Sequence, residues 1–184
     1  RQGRYAEARR TLDQVFKLDD QNPQGHLVLA DLYTETGQIE KALDNYVWFV
    51  RFYNRSQPKD AKTLELVARG SLQYSRWKGS SQILKFVVNT LCPDIIKADE
   101  HFWQAHHLAG ELLLEKYNRA QALPELKLAL EINPRATDVL VALGNAAYQK
   151  LNMEEAESYA DQALKINPHH VPASRLAIAV NHDA

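Results

Sequence analysis

The chain has 184 residues, 45% of them hydrophobic, with 22 basic against 23 acidic side chains and a formal net charge of −1. That length suits one domain with a real core, and the balanced charge creates no global field to draw nucleic acid or a membrane surface. Seven Gly and seven Pro are too few for a many-turned β-sandwich, the single Cys92 excludes an internal disulfide and a cysteine-only metal cluster, and no apolar run is long enough to span a membrane.

In chain order, residues 1–22 come first. They open on RQGRYAEA, with neither an initiator Met nor a signal peptide, and read as the second helix of a truncated repeat in a longer protein. Gly3 and Ala8 are each followed 34 residues later by the same residue, at Gly37 and Ala42. Residues 23–54 then form a complete helix-turn-helix unit with its turn at Gly37. From Gly37 to Gly79, the next turn glycine, the interval grows to 42. The extra residues fall in RFYNRSQPKDAKT, where Pro58 marks a loop or a lengthened helix end. Residues 58–96 make a degenerate unit, with TLELVARGSLQYSRW as first helix and Leu84, Val88 and Leu91 on the second. A further insertion falls in CPDIIKADE.

The period returns in the second half. Residues 101–136 and 137–170 form two more units, marked by Ala122 and Ala156 and by Pro134 and Pro168, each pair again 34 apart. Val139, Leu140, Leu143 and Ala147 recur at three- and four-residue steps, the spacing of one helix face, and Ala156, Tyr159, Ala160, Ala163 and Leu164 do the same. Proline ends each pair, because it cannot continue a helix and pushes the residue before it out of the helical region. Pro124, inside a second helix, predicts a local bend. Residues 171–184 are a terminal first helix.

This pattern resembles the tetratricopeptide repeat (TPR). Its marks are a large-then-small pair in the first helix, a small residue at the turn, an early Ala in the second helix and a closing Pro. Leu29-Ala30, Tyr33, Gly37, Ala42, Tyr46 and Phe49 fit one unit; Ala109-Gly110, Leu113, Ala122, Leu126, Ala129 and Pro134 another; Leu143-Gly144, Ala156, Ala160, Ala163 and Pro168 a third. The resemblance implies an all-α fold, a right-handed α-solenoid of TPR-like helix-turn-helix repeats over residues 1–184, with first helices lining a concave groove. Ala30, Gly110 and Gly144 let helices approach closely, and a larger side chain there overpacks at a cost of about 1–3 kcal/mol. Each repeat covers its neighbour, so exposed repeat ends invite self-association.

In the phase of that repeat the groove receives Gln24, Leu27, Asp31 and Thr34, then Arg69, Gln73 and Arg76, then Gln104, His107 and Glu111. Asp138, Val141, Asn145 and Tyr148 follow, with Arg175 beyond. The candidate peptide-binding residues among them are Asp31, Arg69, Gln73, Arg76, His107, Glu111, Asn145 and Tyr148. Arg69 and Arg76 serve as anchors for acidic side chains of an extended peptide, or are solvated or bonded to a neighbouring helix. The best-known groove of the family clamps C-terminal carboxylates with Lys and Asn. Here Leu27 and Asp31 hold the equivalent sites, and Asp31 repels a carboxylate.

Other constellations are weaker. In HFWQAHHLAGE, His107 and Glu111 are four apart and can share a helix face, but the H-E-x-x-H spacing of a metalloprotease is absent. His106 falls on the packing side, where a hydrogen-bonded core histidine is the usual occupant. Trp48 and Trp103 sit at helical spacing among other aromatics and read as packing, whereas Trp77, in QYSRWKG, falls at a turn beside Arg76 and Lys78. No phosphate loop, Ser-His-Asp order or carboxylate pair stands out, so no catalytic residue, cofactor or metal is assigned. The leading reading is a non-enzymatic scaffold that binds a protein or peptide, with no nucleic acid or membrane partner. The alternative is a regulatory or targeting segment of a multidomain enzyme whose catalytic domain lies outside this chain. Cys92 suits a reducing, cytoplasmic setting and equally a disulfide-free export.

Overall fold

The computed structural model describes residues 4–116 and 118–183, which form helices joined by short turns, with no strand among them. Gly3, one of the period marks, lies outside these residues. The chain divides into two compact units, residues 1–99 and 100–184.

The first unit runs through α1 (Tyr5–Leu18), α2 (Pro23–Glu35), α3 (Ile39–Ser56), α4 (Ala61–Lys78), α5 (Ser81–Phe86) and α6 (Cys92–Ala98). Its helix ends are written locally. Asn22 Oδ1 accepts from the Gly25 amide at 2.9 Å ahead of Pro23, whose missing N–H costs nothing at a first helical position. Asp60 does the same for Thr63 at 2.8 Å at the head of α4. Gly37 and Gly79 close α2 and α4 at φ of 74° and 63°, a left-handed conformation that a Cβ disfavours. The residues added around Pro58 in part lengthen α3, which ends at Gln57 in the left-handed region.

The stretch after Cys92 is helical as well. A π-turn over Val87–Leu91 joins α5 to α6, and the Cys92 amide donates to Val87 O, five residues back. Pro93 follows directly, so the ladder is broken there in any case. Apolar residues spaced by four drift around an α-helix of 3.6 residues per turn. The wider turn takes up the extra residue, and Val87, Leu91 and Ile95 are all fully buried. Trp48 sits in an aromatic stack, 3.8 Å from the His26 ring centroid and 4.7 Å from that of Phe52, with Phe49 edge-on.

The second unit comprises α7 (Trp103–Glu115), α8 (Arg119–Ile132), α9 (Thr137–Tyr148), α10 (Met153–Ile166) and α11 (Val171–Asp183). Helix α8 continues across Pro124. The recurrent Asn-Pro now has a structural meaning. Asn133 Oδ1 accepts from the Arg135 amide and Asn167 Oδ1 from the His169 amide, both at 3.1 Å, so each side chain folds the chain over the proline. Asp19 makes the same bond to the Gln21 amide at 3.0 Å, a third copy of the turn in different letters. The core joins Leu126, Ala129, Val139 and Leu143, with Trp103 packed against them, and continues through Ala156, Ala160, Leu176 and Val180.

Candidate functional site

In each unit the first helices of successive pairs lie beside one another: α2 with α4 in the first unit, and α7 with α9 and α9 with α11 in the second. Each of α2, α4, α7 and α9 also packs on the helix or helical run that follows it. That arrangement leaves one stripe of every first helix for solvent or ligand.

On α2, Asp31 is exposed and is held in place from below. The hydroxyl of buried Tyr46, on α3, donates to Asp31 Oδ1 at 2.8 Å and lies 3.2 Å from Thr34 Oγ1. Burial first, offset by the Thr34 bond and reinforced by the Asp31 charge, pushes the Tyr46 phenol up to about 12. Tyr46 is thus a neutral donor at any ordinary pH, and its hydroxyl orients the Asp31 side chain. Thr34 is half-buried and bonds the Ala30 carbonyl. Leu27, expected in the groove, is only 2% exposed and belongs to the core.

On α4, Arg69 and Arg76 are exposed with half-buried Gln73 between them, at the three- and four-residue steps of one stripe. Arg69 pairs with Glu65 one turn back at 3.6 Å, its side chain half exposed and that of Glu65 17% exposed. Burial raises the Glu65 carboxyl above its ordinary value, and the Arg69 charge only partly counters this. Trp77 follows directly, 49% exposed at the turn.

In the second unit, His107 and Glu111 share a face of α7, as their spacing required, with His107 Nε2 3.5 Å from Glu111 Oε1. That contact is an ion-pair distance without hydrogen-bond geometry, and the buried Nε2 has no hydrogen-bond partner. His106, its neighbour, is buried and donates from Nδ1 to Glu125 Oε2 on α8 at 2.8 Å. On α9, Asn145 is exposed and Tyr148 half-buried. Val141, also expected in the groove, is taken into a cluster with Ala163 and Ala173. Asp138 is held by His170 Nε2 at 2.9 Å. Among the described residues no three His, Cys, Asp or Glu side chains gather as metal ligands, and no helix is long and apolar enough to cross a membrane.

Sequence reasoning missed the groups that orient these residues. Tyr46 lies 15 positions from Asp31 and on another helix, and Glu65 was read only as part of a helix. An i,i+4 Glu–Arg spacing was the one available signal.

Two protein-family models, both described as tetratricopeptide repeat, match residues 1–44 and 137–170. The chain carries tetratricopeptide repeats. The pair formed by α4 and the α5–α6 run lies in neither match. No curated protein is significantly similar in sequence. Among solved structures, the thermophilic TPR protein TTC0263 of Thermus thermophilus superposes with a TM-score of 0.77 at 18% identity, over 98% of this chain and 92% of that one. YrrB, described as a TPR protein with an unusual peptide-binding site, gives 0.56 at 18% identity over 92% and 83%. The Cut9–Hcn1 hetero-tetramer of the APC/C gives 0.60 at 15%, over 96% of this chain but 39% of that one. The fold is therefore the all-α helical solenoid of TPR proteins, and in general terms the protein is an interaction scaffold.

Proposed function

We propose that this TPR protein is a non-enzymatic scaffold that binds an extended peptide segment of a partner protein on the solvent faces of its first helices. The observation that carries the reading is the stripe on α4, where exposed Arg69 and Arg76 flank Gln73. Guanidinium groups on a fixed helix face match carboxylates in a planar, two-pronged way. Asp31, oriented by Tyr46, favours a donor or a cation opposite α2 and disfavours a second carboxylate there. In the second unit His107, Glu111, Asn145 and Tyr148 offer hydrogen-bonding groups to the same class of ligand. The peptide-binding site ascribed to YrrB supports the class of ligand.

The test is a peptide array followed by titration of the acidic hits. Arg69→Ala combined with Arg76→Ala lowers affinity for an acidic peptide by about tenfold or more, the weight of one or two charge-assisted hydrogen bonds. Unchanged affinity would remove both arginines from the account.

A further inference from the structure

We propose that the first unit carries a second ligand site, a carboxylate-binding pocket where α1 meets the turn between α2 and α3. A cavity of about 330 Å³ opens there, lined by Arg9 from α1, Tyr33 and Thr36 from the end of α2, and Gln38 and Lys41 from the start of α3. Tyr33 is two residues from Asp31, which places it about 200° around the helix, away from the peptide-binding stripe. The pocket is therefore a different surface from the one proposed above.

Its chemistry is one-sided. The Arg9 guanidinium carbon stands 5.5 Å from the Tyr33 ring centroid, and the Lys41 ammonium 5.6 Å from the same centroid. Arg9 Nη1 also donates to the Tyr33 hydroxyl oxygen, which leaves the phenol proton free to donate elsewhere. The acceptors around the rim are already used. Lys41 Nζ donates to Gln38 Oε1 at 2.9 Å, Gln38 Nε2 donates to Thr36 Oγ1 at 3.0 Å, and Thr36 Oγ1 donates to the Leu32 carbonyl at 2.8 Å. Asp13, one turn along α1, takes Arg9 Nε at 3.1 Å and lies outside the lining. A guanidinium and an ammonium carry more N–H groups than these bonds consume. The lining thus holds two cations, the phenols of Tyr33 and Tyr5, and no carboxylate.

Two cations held around one aromatic ring repel each other, and the ring quadrupole offsets only part of that. A carboxylate seated between them relieves the repulsion and accepts the unused N–H and O–H groups. The cavity has room for an Asp or Glu side chain with its adjoining peptide, whose methylenes would rest on the Tyr33 ring. The occupant that fits is an acidic side chain presented by a partner protein, gripped at the edge of the repeat.

The experiment titrates the full chain with hexaglutamate, hexaglutamine and inorganic phosphate, reading amide NMR shifts. Hexaglutamate, and not hexaglutamine, should move the amides of residues 8–10 and 32–41, with an affinity that falls as salt is added. Lys41→Gln and Arg9→Gln, both at exposed positions and checked for retained helicity, should each weaken those pocket shifts by about tenfold. Pocket shifts that Lys41→Gln leaves unchanged overturn the proposal. So does phosphate that moves the same amides as strongly as hexaglutamate, since that outcome identifies a general oxyanion pocket. Shifts confined to residues 62–78 support the α4 face alone and likewise overturn this one. Loss of the α4 shifts with the pocket shifts intact does the reverse.

Discussion

The pair α9–α10 and the run α3–α6 pack by the same repeat logic with different side chains. In α9–α10 the buried positions are mostly small: Ala142, Gly144, Ala146, Ala147, Ala156, Ala160 and Ala163. The helices there are 12 and 14 residues long and keep the 34-residue period. In the middle of the first unit large side chains, Phe49, Leu64, Val67, Val87, Leu91 and Ile95, are fully buried beside small ones such as Ala68 and Ser71, and α3 and α4 each reach 18 residues. Small contacts bring helices close at one spacing, which ties the repeat to a strict length. Large ones fill a wider gap and tolerate longer helices and a π-turn, because shape is met by side chains and not by backbone proximity.

The strongest way to break that contrast is to hollow out the irregular pair. Ile95→Ala removes a fully buried side chain on α6, which packs against α4. It should cost about 3 kcal/mol in chemical denaturation. A loss under about 1 kcal/mol would mean that the run beyond the π-turn contributes little to the fold.

Two of the first-helix glycines, one from each unit, sharpen it. A Cβ on Gly70 would overlap Phe49 Cδ2 and stand 2.5 Å from Cγ, the body of a ring that is itself fully buried and edge-on to Trp48. That ring cannot yield without disturbing the stack, so Gly70→Ala should destabilise by about 2 kcal/mol despite its better helix propensity. A Cβ on Gly144 meets the far end of Leu176 at 2.5 Å and Tyr159 Cβ at 3.2 Å. The leucine tip can rotate, so Gly144→Ala should cost about 1 kcal/mol or less. Equal effects in thermal melts of the two variants would dissolve the distinction between ring and rotor.

This contrast also explains what could be read in advance. The second-half units were legible because Ala, Gly and Asn-Pro do their work at fixed spacing, and each letter has one structural job. The boundary before Pro23 was placed, but its resemblance to the Asn-Pro turns was not visible, because Asp19 replaces Asn and the proline has moved. Of the candidate site, helical phase alone placed His107 beside Glu111 and Arg69 in line with Gln73 and Arg76. It failed at Leu27 and Val141, since phase tells which way a residue points but not how closely the next helix covers it. Neither Tyr46 under Asp31 nor the Arg9–Tyr33–Lys41 cluster has a local signal, because each is assembled from different helices.

The smallest expected effect concerns charge. Helix α9 buries no charged side chain, whereas α4 holds Glu65 largely out of solvent beside Arg69. Because burial raises the folded-state value of Glu65, the native protein holds that proton more tightly than the unfolded chain does. The sign follows: Glu65 costs nothing below its ordinary value of 4.5, and stability is lost as pH rises from there through the raised value. Glu65→Gln removes that cost. It should raise Tm at neutral pH by about 1–2 °C and leave it unchanged in acid, where the native side chain is already neutral. The same substitution takes away the partner of Arg69 on its own helix, so an acidic peptide should bind the variant more tightly. A lower Tm at neutral pH would show instead that the ion pair outweighs burial, and that Arg69 is spent on its own helix and not held for a ligand.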